Sequence, residues 1–314
     1  MRPLLKWAGG KRQLLPAIRR HYPACFTRYF EPFLGSGAVF FDLLGTGALK
    51  GRTARLVDCN ADLIGCYTQL RDNPSAVVAA LRKLDAGHRR GGSAFYYEVR
   101  DGSFNPAREA GAAYTPELAA MVVYLNRTGF NGLFRLNRRG GFNVPAGRYQ
   151  DPVICDEVHL RRVATALASP GVTLELSSFE AAFADVGAGD FIYCDPPYAP
   201  LSRTASFAHY TAGGFSSADQ ARLQAHVVGA ARNGAAILLS NSSAAEIEQL
   251  YSRADAREAG LVVHRVPARR AINSRSEARG PVDELLVTNV APHKLDVPIH
   301  MAPARLPVTA RKRA

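Results

Sequence analysis

Two separated stretches of this chain alternate short apolar runs with segments of helical character, and that alternation constrains the fold more than any other feature. The first stretch predicts strands at 28–33 and 54–59, with helices at 37–44 and from Ala61 onward. The second predicts strands at 172–176, 191–194 and 235–240, with a helix capped by Ser216 or Ser217 that continues through Arg232. This pattern is typical of an α/β fold with a mainly parallel sheet and crossover helices.

Between the two stretches, at about residues 66–155, polar, Gly-rich and Arg-rich sequence replaces the alternation. We interpret 66–155 as a mainly helical insertion into a core formed by 1–65 and 156–290. Two further apolar runs, 261–266 and 284–290, predict an antiparallel strand pair that completes the core. Residues 291–314 contain four prolines and no periodicity and end in Arg311-Lys312-Arg313-Ala314, which predicts a disordered basic tail.

The composition fits a globular protein with an acidic partner. A chain of 314 residues with 47% hydrophobic residues can bury a full core, and its formal net charge of +12 indicates nucleic acid as a partner. The five cysteines show no CxxC spacing and the histidines form no HExxH pattern, so we expect neither a metal site nor a disulfide framework. No apolar stretch has signal or membrane-span length, and we expect a cytoplasmic protein.

The tetrapeptide Asp195-Pro196-Pro197-Tyr198 directly follows the apolar run 191–194. It therefore stands at the carboxyl end of a predicted buried strand, where open α/β sheets place their active sites. Proline restricts φ and removes a backbone donor, so the two prolines orient the carbonyl groups of this loop. The alternative interpretation is a strand that ends in an Asp-Pro turn, with the tyrosine as cover.

These four residues suit chemistry on an exocyclic aromatic amine such as N6 of adenine. The lone pair of that amine is delocalised into the ring, which makes the nitrogen a poor nucleophile. A carboxylate and a backbone carbonyl that accept its two N–H bonds favour the pyramidal, nucleophilic form, and an aromatic side chain can stack on the base. We therefore interpret Asp195, Pro196, Pro197 and Tyr198 as the catalytic residues.

Turns after the first two predicted strands indicate a cofactor site. Gly35 and Gly37 let the backbone approach a ligand at the start of a helix, although the segment is not a full GxGxxG and lacks the lysine of a phosphate loop. Asp58 can accept hydrogen bonds from ribose hydroxyls, or it can cap the next helix. An adenosine-type cofactor without a phosphate handle, such as S-adenosylmethionine, fits both turns.

The segment 126–149 (NRTGFNGLFRLNRRGGFNVPAGRY) combines arginines, aromatic residues and asparagines and contains no acidic residue. Arginine can read guanine with two hydrogen bonds, asparagine can read adenine, and an aromatic side chain can insert between bases. A solvated loop with buried aromatic anchors is the alternative. The lack of acidic residues favours an interface with DNA.

Taken together, these residues resemble the Dam-type DNA adenine methyltransferases of the D12 class. The resemblance extends to about residue 290 and follows the alpha arrangement of motifs in that family. It rests on 6–11 (KWAGGK), 31–37 (EPFLGSG), 58–63 (DCNADL), 124–149, 193–201 (YCDPPYAPL) and 282–286 (VDELL). It implies a Rossmann-like, S-adenosylmethionine-dependent core with an inserted target-recognition domain, which methylates N6 of adenine in duplex DNA, within GATC, by base flipping.

The resemblance also assigns roles to residues. It implies that the cofactor pocket is lined by Trp7, Lys11, Phe33, Gly35, Ser36, Gly37, Asp58, Ser178, Phe179 and Asp195. It implies that Lys6 reads the outer base pair and that Leu133 and Arg135 read the other side of the target. The remaining candidate DNA contacts are Arg127, Phe130, Asn131, Asn137, Asn143, Arg148 and Tyr149. Double-stranded DNA is the expected partner of a monomeric enzyme.

The chain departs from the family pattern at two places. Phe130 stands where well-known members have tyrosine, which preserves a stacking role but removes a hydroxyl contact. The loop 274–280 lacks the usual Gly-rich basic character. Three alternatives remain open from the residues: N4-cytosine methylation, in which serine commonly replaces the first aspartate of the tetrapeptide; glutamine methylation of a protein, which usually has asparagine there; and a catalytically idle DNA-binding regulator.

Overall fold

A mixed sheet of seven strands forms the centre of the molecule in the computed structural model, which describes residues 1–7, 9–111, 113–199, 214–269 and 281–293. The strand order is β3-β2-β1-β4-β5-β7-β6. Strands β1 to β5 run parallel, and β7 pairs antiparallel with both β5 and β6. The strands are β1 (Arg28–Glu31), β2 (Thr53–Asp58), β3 (Val172–Leu176), β4 (Asp190–Cys194), β5 (Ala236–Ser242), β6 (Val262–Arg269) and β7 (Pro281–Thr288).

Ten α-helices are present in the described ranges. They are α1 (Leu15–Arg19), α2 (Ala38–Gly45), α3 (Ala61–Asp72), α4 (Pro74–Tyr97), α5 (Asn105–Glu109), α6 (Pro116–Thr128), α7 (Glu157–Leu167), α8 (Ser217–Arg232), α9 (Ala245–Tyr251) and α10 (Ala254–Glu258). Asn60 caps α3 by accepting from the backbone N–H of Leu63, and Ser216 forms a capping box with Asp219 at the start of α8. The predicted α/β core is therefore confirmed.

The strand order places a cleft at the carboxyl ends of the central strands. β1 and β4 are neighbours, and the chain leaves them for opposite halves of the sheet, so the crossover connections diverge between them. In such sheets the crevice lies outside the carboxyl ends of the strands at this switch point. Every residue of β4 is buried, as its apolar run predicts for a central parallel strand. The Asp195 tetrapeptide begins where this buried strand ends.

The predicted insertion consists largely of helices in this structure. Helices α4 and α6 pack against each other, and α6 also packs on α3. Buried residues of this region, such as Val77 and Tyr124, belong to the same apolar cluster as Phe40 and Leu56 of the core. Helix α3 continues through residues 65 and 66, so the boundary expected there falls inside a helix. The division at 66–155 stays a prediction.

Some expectations concern parts of the chain that are not described. The loop 274–280 and residues 294–314 of the predicted tail lie outside the described residues. Among the helices that the structure describes, none combines the length and the apolarity needed to cross a bilayer. Within the same ranges, no three His, Cys, Asp or Glu side chains are grouped as metal ligands would be.

Candidate active site

A cavity of about 400 Å³ opens at the carboxyl ends of β1, β2 and β4. It brings together residues from six separated parts of the sequence. All four predicted catalytic residues line it, and so do nine of the ten predicted cofactor residues: Trp7, Lys11, Phe33, Gly35, Ser36, Asp58, Ser178, Phe179 and Asp195. The tenth, Gly37, is the N-cap of α2 and has a left-handed backbone with φ of 67°.

Asp195 is held by a cation and a hydroxyl. Lys11 Nζ lies 2.7 Å from Asp195 Oδ1 and also donates to the backbone carbonyl of Gly9. Ser240 Oγ, within β5, donates to the same carboxylate oxygen at 3.0 Å, and Tyr193 OH lies 2.9 Å from Ser240 Oγ. Within the described part of the chain both contacts fall on Oδ1, so Oδ2 stays available to accept an N–H from a ligand.

The loop after Asp195 is fixed from α8 and β5. Gln220 Nε2 donates to the carbonyl of Pro197 at 2.9 Å, and Asn241 in turn donates to the Gln220 side-chain oxygen at 3.0 Å. The Tyr198 phenol donates to the Glu284 carboxylate on β7, and Lys11 Nζ lies 4.5 Å from the centroid of the Tyr198 ring. The aromatic ring therefore has a defined place beside the Asp195 carboxylate.

The opposite wall of the cavity is built around Gly35 and Asp58. Gly35 has φ of 47°, and its N–H donates to Asp58 Oδ2 at 2.9 Å, while Asn60 N–H donates to Oδ1. A side-chain carbon at Gly35 would lie 3.0 Å from the Trp7 indole, so this position suits glycine for both conformation and space. The rings of Phe33 and Phe179 stack with centroids 5.3 Å apart and provide an aromatic face.

Three carboxyl groups of this cavity have raised pKa values, mainly because burial disfavours their charged forms. The pKa of Glu31 rises to about 8, and that of Asp58 rises to about 6 although three backbone N–H groups oppose the rise. The pKa of Asp195 also rises, against the effect of Lys11. Five carboxyl side chains and two basic ones, Lys11 and Arg222, line the cavity, and this balance favours a ligand that carries positive charge.

The candidate DNA contacts form a separate surface on the segment after α6. Leu136 and Phe142 form an antiparallel bridge, and the N–H of Asn143 donates to the carbonyl of Arg135, so a hairpin places Arg135 and Asn143 side by side. Arg135 Nε donates to Asn143 Oδ1 at 2.8 Å, and Lys6 Nζ lies 5.0 Å from the centroid of Tyr149. The exposed members of this set are Lys6, Phe130, Asn131, Arg135, Asn137, Arg148 and Tyr149.

Other members of the DNA set are less exposed or have structural contacts. Leu133 and Asn143 are half-buried. Asn137 Oδ1 accepts from the backbone of Arg139 and Gly141 and so shapes the tip of the hairpin. Arg127 is half-buried, and its Nη1 donates to the carbonyl of Val153 at 2.9 Å.

Several residues that shape the site were absent from the sequence predictions. Asn126 donates to the carbonyls of Lys6 and Gly132 and accepts from Lys6 N–H, which fixes the N-terminal segment against the hairpin. Ser240 and Glu284 hold Asp195 and Tyr198. The signal for Ser240 was a polar residue at the end of an apolar strand, and Glu284 lies inside the VDELL motif.

Comparison with known proteins gives the family. The sequence model of the D12 class N6 adenine-specific DNA methyltransferases matches residues 7–269. The chain is 38% identical to the type II methyltransferase M1.LlaDCHI of Lactococcus lactis subsp. cremoris over 92% of this chain and 95% of that protein. It is 36% identical to the DNA adenine methylase of Escherichia coli (strain K12) over 91% and 94%. It is also 36% identical to the type II methyltransferase M.MjaIII of Methanocaldococcus jannaschii over 92% and 99%. This chain therefore belongs to the D12 class of N6 adenine-specific DNA methyltransferases.

Proposed function

We propose that this enzyme transfers a methyl group from S-adenosylmethionine to N6 of adenine in duplex DNA, within GATC, after rotating the adenine out of the helix. One observation carries the proposal. The Asp195 carboxylate, fixed by Lys11 and Ser240, lines the same cavity as Asp58 and the stacked Phe33 and Phe179. A base-binding loop and a nucleoside-binding wall therefore face one common space.

The residues of the cavity fit the methyl donor. Its adenine would lie against the aromatic face of Phe33 and Phe179, and its ribose would donate to Asp58, whose carboxylate can accept a further hydrogen bond beside those from Gly35 and Asn60. The positive charge of the sulfonium suits a cavity that contains the carboxylates of Asp58 and Asp195. When bound, S-adenosylmethionine supplies an electrophilic methyl group on a good leaving group.

The protein activates the amine by alignment and hydrogen bonding. Asp195 would accept one N–H of the adenine amine and a backbone carbonyl of the proline loop the other, which localises the nitrogen lone pair. Tyr198 would stack on the base and hold the amine in line with the methyl group. Cys194 is unsuited to act as a nucleophile, because complete burial raises the pKa of its thiol. Direct transfer needs no covalent enzyme intermediate.

The hairpin surface supports extrusion of the base and reading of the site. Phe130 is 47% exposed and is followed by Asn131, which has a left-handed backbone with φ of 55°. An exposed ring on a conformationally fixed turn suits a wedge that fills the space left by the base. The GATC assignment rests on the family correspondence of Lys6, Leu133 and Arg135. Because one chain supplies every group named, we propose that it acts as a monomer.

The test is a methylation map. Purified enzyme is incubated with unmethylated plasmid and S-adenosylmethionine, and modified bases are located by single-molecule sequencing. We expect N6-methyladenine confined to GATC, none with Asp195→Ala, and a normal map with Glu258→Ala, whose carboxylate is 72% exposed on α10. Methyladenine in another motif would overturn GATC alone. Near-normal activity of Asp195→Ala would remove Asp195 from the mechanism.

A further inference from the structure

We propose that Glu284 on β7 is a positioning residue for Tyr198, and that the hydrogen bond between them determines how firmly the extruded adenine is retained. The inference rests on the proposed function, because it concerns the ring that would stack on the adenine. It gives a role to the VDELL segment, in which Glu284 is the third residue.

The sheet brings these two residues together from distant parts of the chain. They are 86 residues apart in sequence, and the Tyr198 phenol donates to Glu284 Oε2. Glu284 lies opposite Ser242 of β5 and opposite Val266 of β6, so both neighbouring strands fix its backbone. Its side chain is half-buried and lies near the carboxyl ends of the parallel strands, where β4 ends and the loop that contains Tyr198 begins. A strand in the interior of a sheet is a rigid support for a hydrogen-bond acceptor.

The main chain on both sides of Tyr198 is already fixed. Pro197 is held through its carbonyl by Gln220, and Ala199 is held by Asn241 through its N–H and by Ser242 through its carbonyl. The contacts described for the Tyr198 side chain are those of the ring with Lys11 Nζ and of the hydroxyl with Glu284. Removing Glu284 would therefore release the ring while the backbone of the loop stays in place.

The chemistry of the pair keeps the hydrogen bond directed one way. Burial raises the pKa of the Tyr198 phenol well above its usual value, so the hydroxyl stays protonated and donates to the carboxylate. Hydrogen bonds to ionised acceptors are stronger than those between neutral groups. A ring whose rotation is already restricted loses less conformational freedom when a base stacks on it.

A retention role makes a prediction that a general structural role does not. Extruding adenine from a normal base pair is costly, so the reactive, extruded population depends on every contact that stabilises it. When the adenine faces an abasic site, extrusion costs less and the extruded population approaches saturation. Loss of the Glu284 bond should then matter less. A defect caused by a damaged fold would reduce the rate on both duplexes equally.

The experiment measures kcat/KM on two GATC duplexes, one fully paired and one with an abasic site opposite the target adenine. The variants are Glu284→Ala, Glu284→Gln, Tyr198→Phe and the double variant of Glu284→Ala with Tyr198→Phe. Asp283→Asn is the matched control, because Asp283 precedes Glu284 on β7 and its carboxylate is 46% exposed and lies 4.0 Å from the Arg265 guanidinium. Thermal unfolding of each variant reports whether the fold is intact.

On the paired duplex we expect Glu284→Ala and Tyr198→Phe each to lower kcat/KM about 10-fold, the double variant to lower it no further, and Glu284→Gln to be intermediate because the amide oxygen still accepts. On the abasic duplex the loss should shrink to about 3-fold or less. Asp283→Asn should match the wild type. Additive effects, equal losses on both duplexes, or full activity of Glu284→Ala would each overturn the inference. Methylation of adenine by the wild type in the same assay would still support the proposed function. A wild-type enzyme that leaves adenine unmethylated would overturn both.

Discussion

The indole of Trp7 stacks on the ring of Phe134, with centroids 5.5 Å apart and an interplanar angle of 24°. Trp7 lines the cavity and packs against Gly35, whereas Phe134 lies in the hairpin between Leu133 and Arg135. The wall of the cavity proposed to bind the cofactor and the surface proposed to read bases are therefore in direct contact. A substitution in this stacked pair should therefore alter both cofactor binding and base discrimination.

Replacing Trp7 by leucine tests that contact. Aromatic pairs are worth about 0.5 to 1.5 kcal/mol beyond their buried area, so we expect Trp7→Leu to weaken S-adenosylmethionine binding and the preference for GATC by about 3- to 10-fold each. Calorimetry measures the first effect, and the ratio of kcat/KM on GATC to that on one-base variants measures the second. Phe33→Leu is the control, because Phe33 stacks within the cavity and should alter cofactor binding alone. Unchanged discrimination in Trp7→Leu would contradict the coupling.

The ion pair between Lys11 and Asp195 should set the acidic limb of the pH profile. Burial raises the pKa of Asp195 and Lys11 opposes that rise, so Lys11→Met should raise the Asp195 pKa further. If the ionised carboxylate is the active form, activity will be lost at a higher pH than in the wild type, by about 1 to 3 pH units. Single-turnover rates at saturating cofactor and DNA measure the limb. An acidic limb that does not move would show that another group controls it.

Much of the core was predictable because its strands are short apolar runs with clear ends. The predicted strand at 28–33 ends in the structure at Glu31, since Pro32 has no N–H to contribute to the ladder. The strand predicted to end at Ser240 instead continues through Ser242, because β7 pairs with it there. Asn241 and Ser242 resemble loop residues in a sequence, and only the strand order shows that they are buried.

The candidate site also has a part that the sequence predicts and a part that only the fold shows. Asp195, Asp58 and Gly35 belong to local motifs whose positions at or just after strand ends identify them. Ser240 and Glu284 bind Asp195 and Tyr198 from 45 and 86 residues away along the chain. Such partners depend on which strands are neighbours in the sheet, and no spacing within a motif encodes that. The pairing of Arg135 with Asn143 likewise requires the hairpin to be formed.

Glu31 should make stability depend on pH. Its carboxyl is buried and accepts from Tyr29 OH and Phe40 N–H, and its pKa rises to about 8. The folded state therefore binds the proton more tightly than the unfolded chain, which contributes to the free energy of unfolding. This stabilisation is complete below about pH 4.3 and is lost as the pH rises through about 8. A neutral glutamine avoids this loss. We expect Glu31→Gln to match the wild type in acid but to be more stable at alkaline pH by an amount on the order of 5 kcal/mol.

Thermal unfolding of the wild type and Glu31→Gln across this pH range measures the difference. Glu258→Gln is the control, because its side chain is 72% exposed and its replacement should leave the pH dependence unchanged. A difference between wild type and Glu31→Gln that stays constant with pH would show that Glu31 does not retain its proton in the folded state.

Base reading by the hairpin should depend on Arg135 and on the side chain that orients it. Arg135 donates to Asn143 through both Nε and Nη2. We expect Arg135→Ala to lose about 1 to 3 kcal/mol of discrimination at one base pair of GATC, the range for a lost bidentate base contact. Asn143→Ala should relax discrimination at the same base pair by a smaller amount, because the guanidinium stays present but is less well oriented.

The measurement is kcat/KM on a set of duplexes that each carry one substitution in GATC. Arg253→Ala, which removes an arginine that is 61% exposed next to α10, is the matched control for the loss of one positive charge. Phosphate contacts position a protein on DNA without reading its sequence. A uniform loss over all duplexes in Arg135→Ala would therefore make this residue a phosphate anchor. A loss confined to one base pair, shared with Asn143→Ala and absent from Arg253→Ala, would identify the two residues as one reading unit.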